Sequence, residues 1–213
     1  MIIGIPVYQK VDLLDVTGPH EMFNWMTRPK ADVRTIAKSC GEEITTRDGT
    51  FTFKATHGFD QIDALDVLWV PGGDPDALKY IMNGGDDYLK FLNRVSVNAR
   101  YVCSVCEGAL LLAKAGLLDG YEATTHWYFV PCLKQFPNVK VVEGHPRFVV
   151  DRNRITGGGI SSGLDEALKV IELLGGTDQA QEVQRNTQYY PDPPVASTLP
   201  RVDTCQFKDL PIP

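Results

Sequence analysis

The feature that most constrains the fold is a buried strand that runs without a spacer into a helix. The segment YVCSVCEGALLLAKAGLL starts at Tyr101 as an apolar strand pattern, and after Cys106 it continues as a helical pattern that stops at Gly116. A chain that changes from strand to helix over so few residues needs a sharp turn, and the small Gly108 allows that turn to pack. We therefore predict that Cys106 lies at a nucleophile elbow, at the carboxyl end of a strand.

This position has chemical consequences for the sulfur atom. Backbone N–H groups and the macrodipole at a helix N-terminus favour the thiolate form, and the same amides can stabilise an oxyanion. A lone cysteine is more often a small buried residue, so the turn is what favours a reactive Cys106. Cys103 lies on the strand itself and is predicted to be a core residue.

Strand and helix patterns alternate along the chain. Continuous apolar runs such as IIGIPV and VLWV are typical of strands buried on both faces, and SSGLDEALKVIELLGG predicts a helix. Asp48-Gly49 predicts a hairpin, and VKVVEG and RFVVDRNRITGGG predict two further strands. We predict an α/β fold with a mostly parallel sheet, organised as one domain over residues 1–190. The proline-rich tail, residues 191–213, is expected to lie on the surface or on an oligomer partner without regular structure.

Composition excludes several classes of protein. The net charge is −6 and the Lys and Arg residues are scattered, which argues against a nucleic-acid surface. No apolar run approaches the roughly 18 residues of a membrane span, and the first residues lack the charged start of a signal peptide, so a cytoplasmic location is predicted. Five cysteines without a secretory context do not predict a disulfide framework. The C-x-x-C pair of Cys103 and Cys106 lacks a second ligand pair, so no metal site is predicted.

Four stretches together resemble the ThiJ/PfpI superfamily: LLDVTGPHEMF, DVLWVPGG, YVCSVCEGALLLAKAGLLDGYEATTHW and ITGGGISSGLDEAL. The resemblance runs along nearly the whole chain and implies a flavodoxin-like sandwich, also described as class I glutamine amidotransferase-like. Within the superfamily the sequence is most similar to the isocyanide (isonitrile) hydratases. The sensor domains of some AraC-type transcription regulators share nearly the same strings. No helix-turn-helix region occurs in these 213 residues, which argues against an intact regulator of that type.

The resemblance implies that Cys106 is the nucleophile and that Asp15 lies beside its sulfur as an acid and base. From the residues alone, Asp15 would be a turn or capping residue, because Asp is favoured before helices. Glu21, on the following helix, is a second candidate acid that could face solvent. His126 could orient groups near the pocket, although capping of the helix after it is the favoured role.

The resemblance also implies a set of pocket residues. Gly72 and Gly73 are expected on the wall opposite the cysteine, and Gly159 and Ile160 at another edge. Glu107 follows the nucleophile, where the hydratases carry threonine and the protease-like branch carries histidine. A carboxylate beside a thiolate opposes thiolate formation unless the carboxyl group is protonated or points away. The missing histidine also argues against a Cys-His hydrolase built at this position.

The activity implied by the resemblance is the addition of water to an isocyanide, which gives an N-substituted formamide. It implies no metal or organic cofactor, a small-molecule substrate and a homodimer, with no nucleic-acid or membrane partner. One alternative is a glyoxalase- or deglycase-like enzyme that acts on reactive carbonyls. Another is a sensor or ligand-binding protein whose Cys106 is oxidised without turnover.

Overall fold

The computed structural model of the protein describes residues 1–207 and 209–212. The strands in this part of the chain are β1 (Ile2–Pro6), β2 (Asp32–Ala37), β3 (Glu43–Thr45), β4 (Thr52–Lys54), β5 (His57–Gly58), β6 (Val67–Val70), β7 (Tyr101–Ser104), β8 (Glu122–Ala123), β9 (Lys140–Val141), β10 (Phe148–Asp151) and β11 (Arg154–Gly157). The α-helices are α1 (Leu13–Asn24), α2 (Pro75–Met82), α3 (Tyr88–Ser96), α4 (Gly108–Lys114), α5 (Val130–Leu133), α6 (Ser162–Gly175) and α7 (Thr177–Asn186).

Seven strands form the central sheet, in the order β10-β11-β7-β6-β1-β2-β5. Every neighbouring pair is parallel except β10 and β11, which form an antiparallel hairpin at one edge. The inner strands are continuous apolar runs because both faces of a parallel sheet are covered by helices. The mostly parallel, flavodoxin-like α/β fold predicted from the sequence is confirmed.

Two groups of helices cover the sheet. Helix α6 packs against both α1 and α7, whereas α2, α3, α4 and α5 form a second packed group. Helix α1 connects β1 to β2, whereas α4 belongs to the connection from β7 to β11. These two connections run in opposite directions across the strand order of the sheet. Because crossover connections between parallel strands are right-handed, these two helices lie on opposite faces. Because β11, β7, β6 and β1 are neighbouring parallel strands, their carboxyl ends lie side by side at the same end of the sheet.

Two local predictions have different outcomes. The Asp48-Gly49 hairpin is confirmed, since β3 and β4 pair antiparallel around it with Gly49 at a positive φ of 73°. The prediction of a single strand in RFVVDRNRITGGG is wrong, because this segment folds back on itself as β10 and β11. Arg152 adopts a left-handed backbone conformation, with φ 54°, and makes the tight turn between them.

The C-terminal tail is attached to the domain covalently. Cys132 of α5 and Cys205 form a disulfide bond across 73 residues of sequence, which corrects the expectation that the cysteines are unpaired. No spacing motif connects these two cysteines, so the sequence carries no local signal for the bond. Beyond Asn186 the described residues form no helix or strand, yet Phe207 and Leu210 are buried. No helix within residues 1–207 or 209–212 is long and apolar enough to cross a membrane.

Candidate functional site

Cys106 lies in the turn between β7 and α4, and its backbone adopts the left-handed conformation with φ 57°. This conformation is uncommon for a residue with a side chain and marks a constrained turn. The Cys106 N–H donates to the Gly158 carbonyl at 2.8 Å, which ties the turn to the loop after β11. A Cβ atom on Gly108 would overlap the Val70 carbonyl oxygen of β6, so the turn can pack this closely only with glycine there.

Asp15 lies beside the cysteine. It is fully buried in the first turn of α1, and one of its carboxyl oxygens is within 4.8 Å of the Cys106 sulfur. Oδ2 accepts a hydrogen bond of 2.9 Å from the Gly72 N–H, and Oδ1 has no hydrogen-bond partner in the described part of the chain. Burial raises the pKa of this carboxyl well above its usual range, and the neighbouring Asp12 and Glu107 carboxyls raise it further. Burial therefore favours the protonated form of Asp15, and Oδ1 is the oxygen without a hydrogen-bond partner.

Glu107 is also part of this cluster. Its side chain is 2% exposed, and Oε2 has no hydrogen-bond partner in the described part of the chain. Burial raises the pKa of Glu107 from 4.5 to about 7, even though its interaction with the Cys106 side chain acts in the opposite direction. The conflict expected between a carboxylate and the neighbouring sulfur is thus removed by protonation over much of the acidic and neutral range.

Two opposing effects act on the Cys106 thiol, because the helix N-terminus favours the thiolate whereas burial disfavours it. Burial raises the pKa of the thiol well above its usual range, and the Asp15 and Glu107 carboxyls raise it further. The Ile160 N–H acts in the opposite direction. The Cys106 sulfur therefore lies beside two buried carboxyl groups whose pKa values are raised.

Two members of the site were not predicted from the sequence. Asp12 precedes α1, and its carboxyl lies within 4.8 Å of both the Asp15 carboxyl and the Cys106 sulfur. Arg47, from the β3–β4 hairpin loop, forms an ion pair with Asp12 at 3.6 Å. Asp12 stands one helical turn before Asp15, and this spacing could have suggested that the two carboxyls share a site. Arg47 arrives through tertiary packing and has no such signal.

The loop after β11 forms one edge of a cavity of about 380 Å³ that also includes Cys106, Glu107, His126 and Ile160. A Cβ atom on Gly159 would overlap the His126 ring, so glycine allows the ring to lie against this loop. His126 Nδ1 accepts a hydrogen bond of 3.2 Å from the Tyr128 N–H, which confirms the predicted capping role. The ring thus caps a turn and lines the cavity at the same time.

Gly72, Gly73 and Glu21 were also candidates for the site, and the structure places each of them in different surroundings. Gly72 contacts the turn, because a Cβ atom there would lie 2.5 Å from Glu107 Oε2 and 2.8 Å from Cys106 Cβ. The nearest neighbours of a Cβ atom on Gly73 would instead be the Lys10 carbonyl oxygen and the Tyr8 ring. Glu21 lies on the exposed face of α1 and accepts a hydrogen bond of 2.9 Å from Trp25 Nε1. The structure therefore does not bring Glu21 to Cys106, and Asp15 is the carboxyl of α1 that reaches the site.

Asp12, Asp15 and Cys106 together offer three potential metal-ligand atoms. A thiolate and two carboxylates are a plausible donor set for Zn²⁺. In this structure, however, the Arg47 guanidinium pairs with Asp12, and the Gly72 N–H occupies one oxygen of Asp15. Both interactions compete with a cation, and the absence of a metal requirement stays a prediction.

Comparison with known proteins places this geometry in context. A sequence model described as "DJ-1/PfpI family" matches residues 2–173. Isonitrile hydratase of Pseudomonas putida is 37% identical over 198 residues, which cover 93% of this chain and 82% of that protein. The HTH-type transcriptional regulator GlxA of Rhizobium meliloti is 38% identical over 184 residues, 86% of this chain but 48% of the regulator. A crystal structure of a ThiJ/PfpI family protein from Pseudomonas syringae superimposes with a TM-score of 0.81 at 35% identity, covering 91% of this chain and 77% of that one.

Proposed function

Because the chain belongs to the DJ-1/PfpI family, we propose that it is a cysteine-dependent hydratase that converts isocyanides into N-substituted formamides. The observation that carries this proposal is the buried Asp15 carboxyl, which has a raised pKa and an oxygen within 4.8 Å of the Cys106 sulfur. The similarity to an isonitrile hydratase over 93% of the chain supports the choice of substrate class. We propose that the protein acts as a homodimer and needs no cofactor.

In the first step of the proposed reaction, the Cys106 sulfur forms a bond to the terminal carbon of the isocyanide. The Asp15 carboxylic acid delivers a proton to the same carbon, and the carbon–nitrogen triple bond becomes the double bond of a thioimidate. The thiol proton leaves the sulfur as the new bond forms. Glu107 lies beside that sulfur, and because its pKa is about 7, a large fraction of it is ionised at neutral pH. The ionised form accepts the thiol proton.

In the second step, the Asp15 carboxylate takes a proton from water, whose oxygen attacks the thioimidate carbon. Glu107 gives the proton that it accepted to the nitrogen. The added hydroxyl group becomes the formamide carbonyl as the carbon–sulfur bond breaks, and the hydroxyl proton passes to the Cys106 sulfur. Asp15 is then protonated and Glu107 ionised, as they were before the first step. One carboxyl group thus acts first as an acid and then as a base.

The protonation state of the site weighs against the sensor alternative. Oxidation of cysteine to sulfenic or sulfinic acid follows thiolate character and exposure. Cys106 is 1% exposed, and burial raises the pKa of its thiol, so both properties are reduced. An addition reaction that consumes a proton as the sulfur attacks suits this site better.

The test is the rate of formamide production from an aryl isocyanide by the wild type, Cys106→Ala and Asp15→Asn. We expect each variant to lose at least about 100-fold in kcat, the usual contribution of a nucleophile or general acid. Matched controls are Cys103→Ala, on β7, and Glu21→Gln, on the outer face of α1, and both should retain activity. A folded wild type without turnover would refute the proposal, and turnover of a reactive dicarbonyl instead would favour the carbonyl alternative.

A further inference from the structure

The C-terminal tail reaches the Cys106 cavity, although the proposed reaction assigns no role to it. Gln206 lines this cavity together with Tyr128 and Phe129, at its outer side. Gln206 is exposed, whereas Cys106 is 1% exposed, so the tail lies at the mouth of the cavity and the sulfur at its floor. Residues 204–207 are called the C-terminal strap below.

The strap is fixed on both sides of Gln206. On one side Cys205 is bonded to Cys132, which is fully buried in α5. On the other side Phe207 is 7% exposed, and its ring packs edge-on against Phe129 with a centroid distance of 5.3 Å. A residue held between a covalent bond and a buried ring has little freedom to move away from the cavity.

The side chain of Gln206 is also held locally. Its amide nitrogen donates to the Thr204 carbonyl at 3.1 Å, which bends the side chain back along the strap. The mouth of the cavity thus combines an amide with the ring of Tyr128, which is 37% exposed. Such a surface can contact an apolar or aromatic substituent, and it limits how large that substituent can be.

We propose that the C-terminal strap is a specificity-determining wall of the cavity, and that the Cys132–Cys205 bond holds it in place to exclude bulky molecules from Cys106. For an isocyanide, which rests on the proposed function, the strap would contact the N-substituent while the terminal carbon reaches the sulfur. Gln206 is the residue of the strap that contacts the substituent. It takes no part in bond making.

The Cys132–Cys205 bond that holds the strap can be reduced by thiols. A dithiol reductant transfers two electrons and two protons to the bond, which leaves Cys132 and Cys205 as thiols while the reductant becomes a disulfide. The strap then keeps Phe207 as its nearest anchor and opens more readily. The size limit at the cavity mouth is therefore expected to relax when the bond is reduced.

The test measures access to Cys106 without requiring any turnover. The rates of Cys106 alkylation by iodoacetamide and by the bulkier N-phenylmaleimide are followed by mass spectrometry of the peptide that contains Cys106. The ratio of the two rates cancels the thiolate fraction, which both reagents share at a given pH. We expect Cys205→Ser and Gln206→Ala to raise the bulky-to-small ratio about tenfold, equivalent to a steric difference of ~1.4 kcal/mol.

Wild-type protein treated with dithiothreitol should give the same increase as Cys205→Ser, which guards against a folding defect of the variant. Cys40→Ser, which removes an exposed unpaired cysteine outside the cavity, should leave the ratio unchanged. An unchanged ratio in both reduced wild type and Cys205→Ser would overturn the proposal. Absence of isocyanide turnover would overturn the proposed function but not the strap, because alkylation reports on access alone.

Discussion

Glu107 offers a quantitative test of the electrostatics of the site. Its pKa is raised from 4.5 to about 7 by burial, and its side chain is 2% exposed. Between these two values the folded protein binds a proton that the unfolded chain has released. Stability therefore decreases as pH rises through this window, since it falls wherever the native state binds more protons than the unfolded state.

The size of the effect follows from the shift. A difference of one in pKa is equivalent to about 1.4 kcal/mol, so the raised pKa of Glu107 amounts to about 3 kcal/mol of lost stability above neutral pH. Glu107→Gln replaces the carboxyl group by an uncharged group of the same shape. We expect the variant to be about 3 kcal/mol more stable, relative to wild type, near pH 8 than near pH 4.

The assay is urea unfolding of both proteins at the two pH values, with the free energy of unfolding extrapolated to water. Any change in packing caused by the amide is independent of pH and cancels in the comparison. Glu122→Gln, an exposed carboxyl on β8, is the matched control and should show no such difference. If the Glu107→Gln free-energy difference stays constant between the two pH values, the assignment of a buried, neutral Glu107 is refuted.

Two further predictions concern the turn and the absence of a metal. Gly108→Ala places a methyl group against the Val70 carbonyl and should destabilise the fold by about 1–3 kcal/mol in urea unfolding. Gly18→Ala in α1 should cost less, because its methyl group meets the flexible end of Leu164 at 3.2 Å; equal costs would contradict the backbone clash. Incubation with a strong chelator should leave the rate of formamide production unchanged, and a loss that Zn²⁺ restores would contradict the metal-free mechanism.

The turn at Cys106 could be predicted because its signals are local. The strand pattern, the helical pattern and Gly108 all lie within one short segment, so the position of the cysteine followed without knowledge of the rest of the fold. Asp15 is different, because it follows β1 whereas Cys106 follows β7. Their contact depends on the strand order of the folded sheet, in which only β6 separates these two strands. From its residues alone it would have been a capping residue, and only the family resemblance placed it at the site.

The errors have a common physical origin in tertiary packing. The helix N-terminus that favours a Cys106 thiolate is a local feature, whereas the burial that raises the pKa of this thiol arises only in the folded chain. Arg47 and the Cys132–Cys205 bond likewise join segments that are distant in sequence. Burial and long-range pairing are properties of the assembled fold, and a single sequence carries weak signals for both.

The distribution of protons separates this site from that of a cysteine hydrolase. Such an enzyme keeps its thiolate by pairing it with a charged imidazolium. Here the nearest histidine of the cavity, His126, accepts a hydrogen bond at Nδ1, and burial lowers its pKa, so its ring is neutral at physiological pH. The mobile protons belong instead to Asp15, Glu107 and the thiol itself. Under the proposed function, we expect such a site to favour reactions in which the substrate takes up a proton as the sulfur attacks.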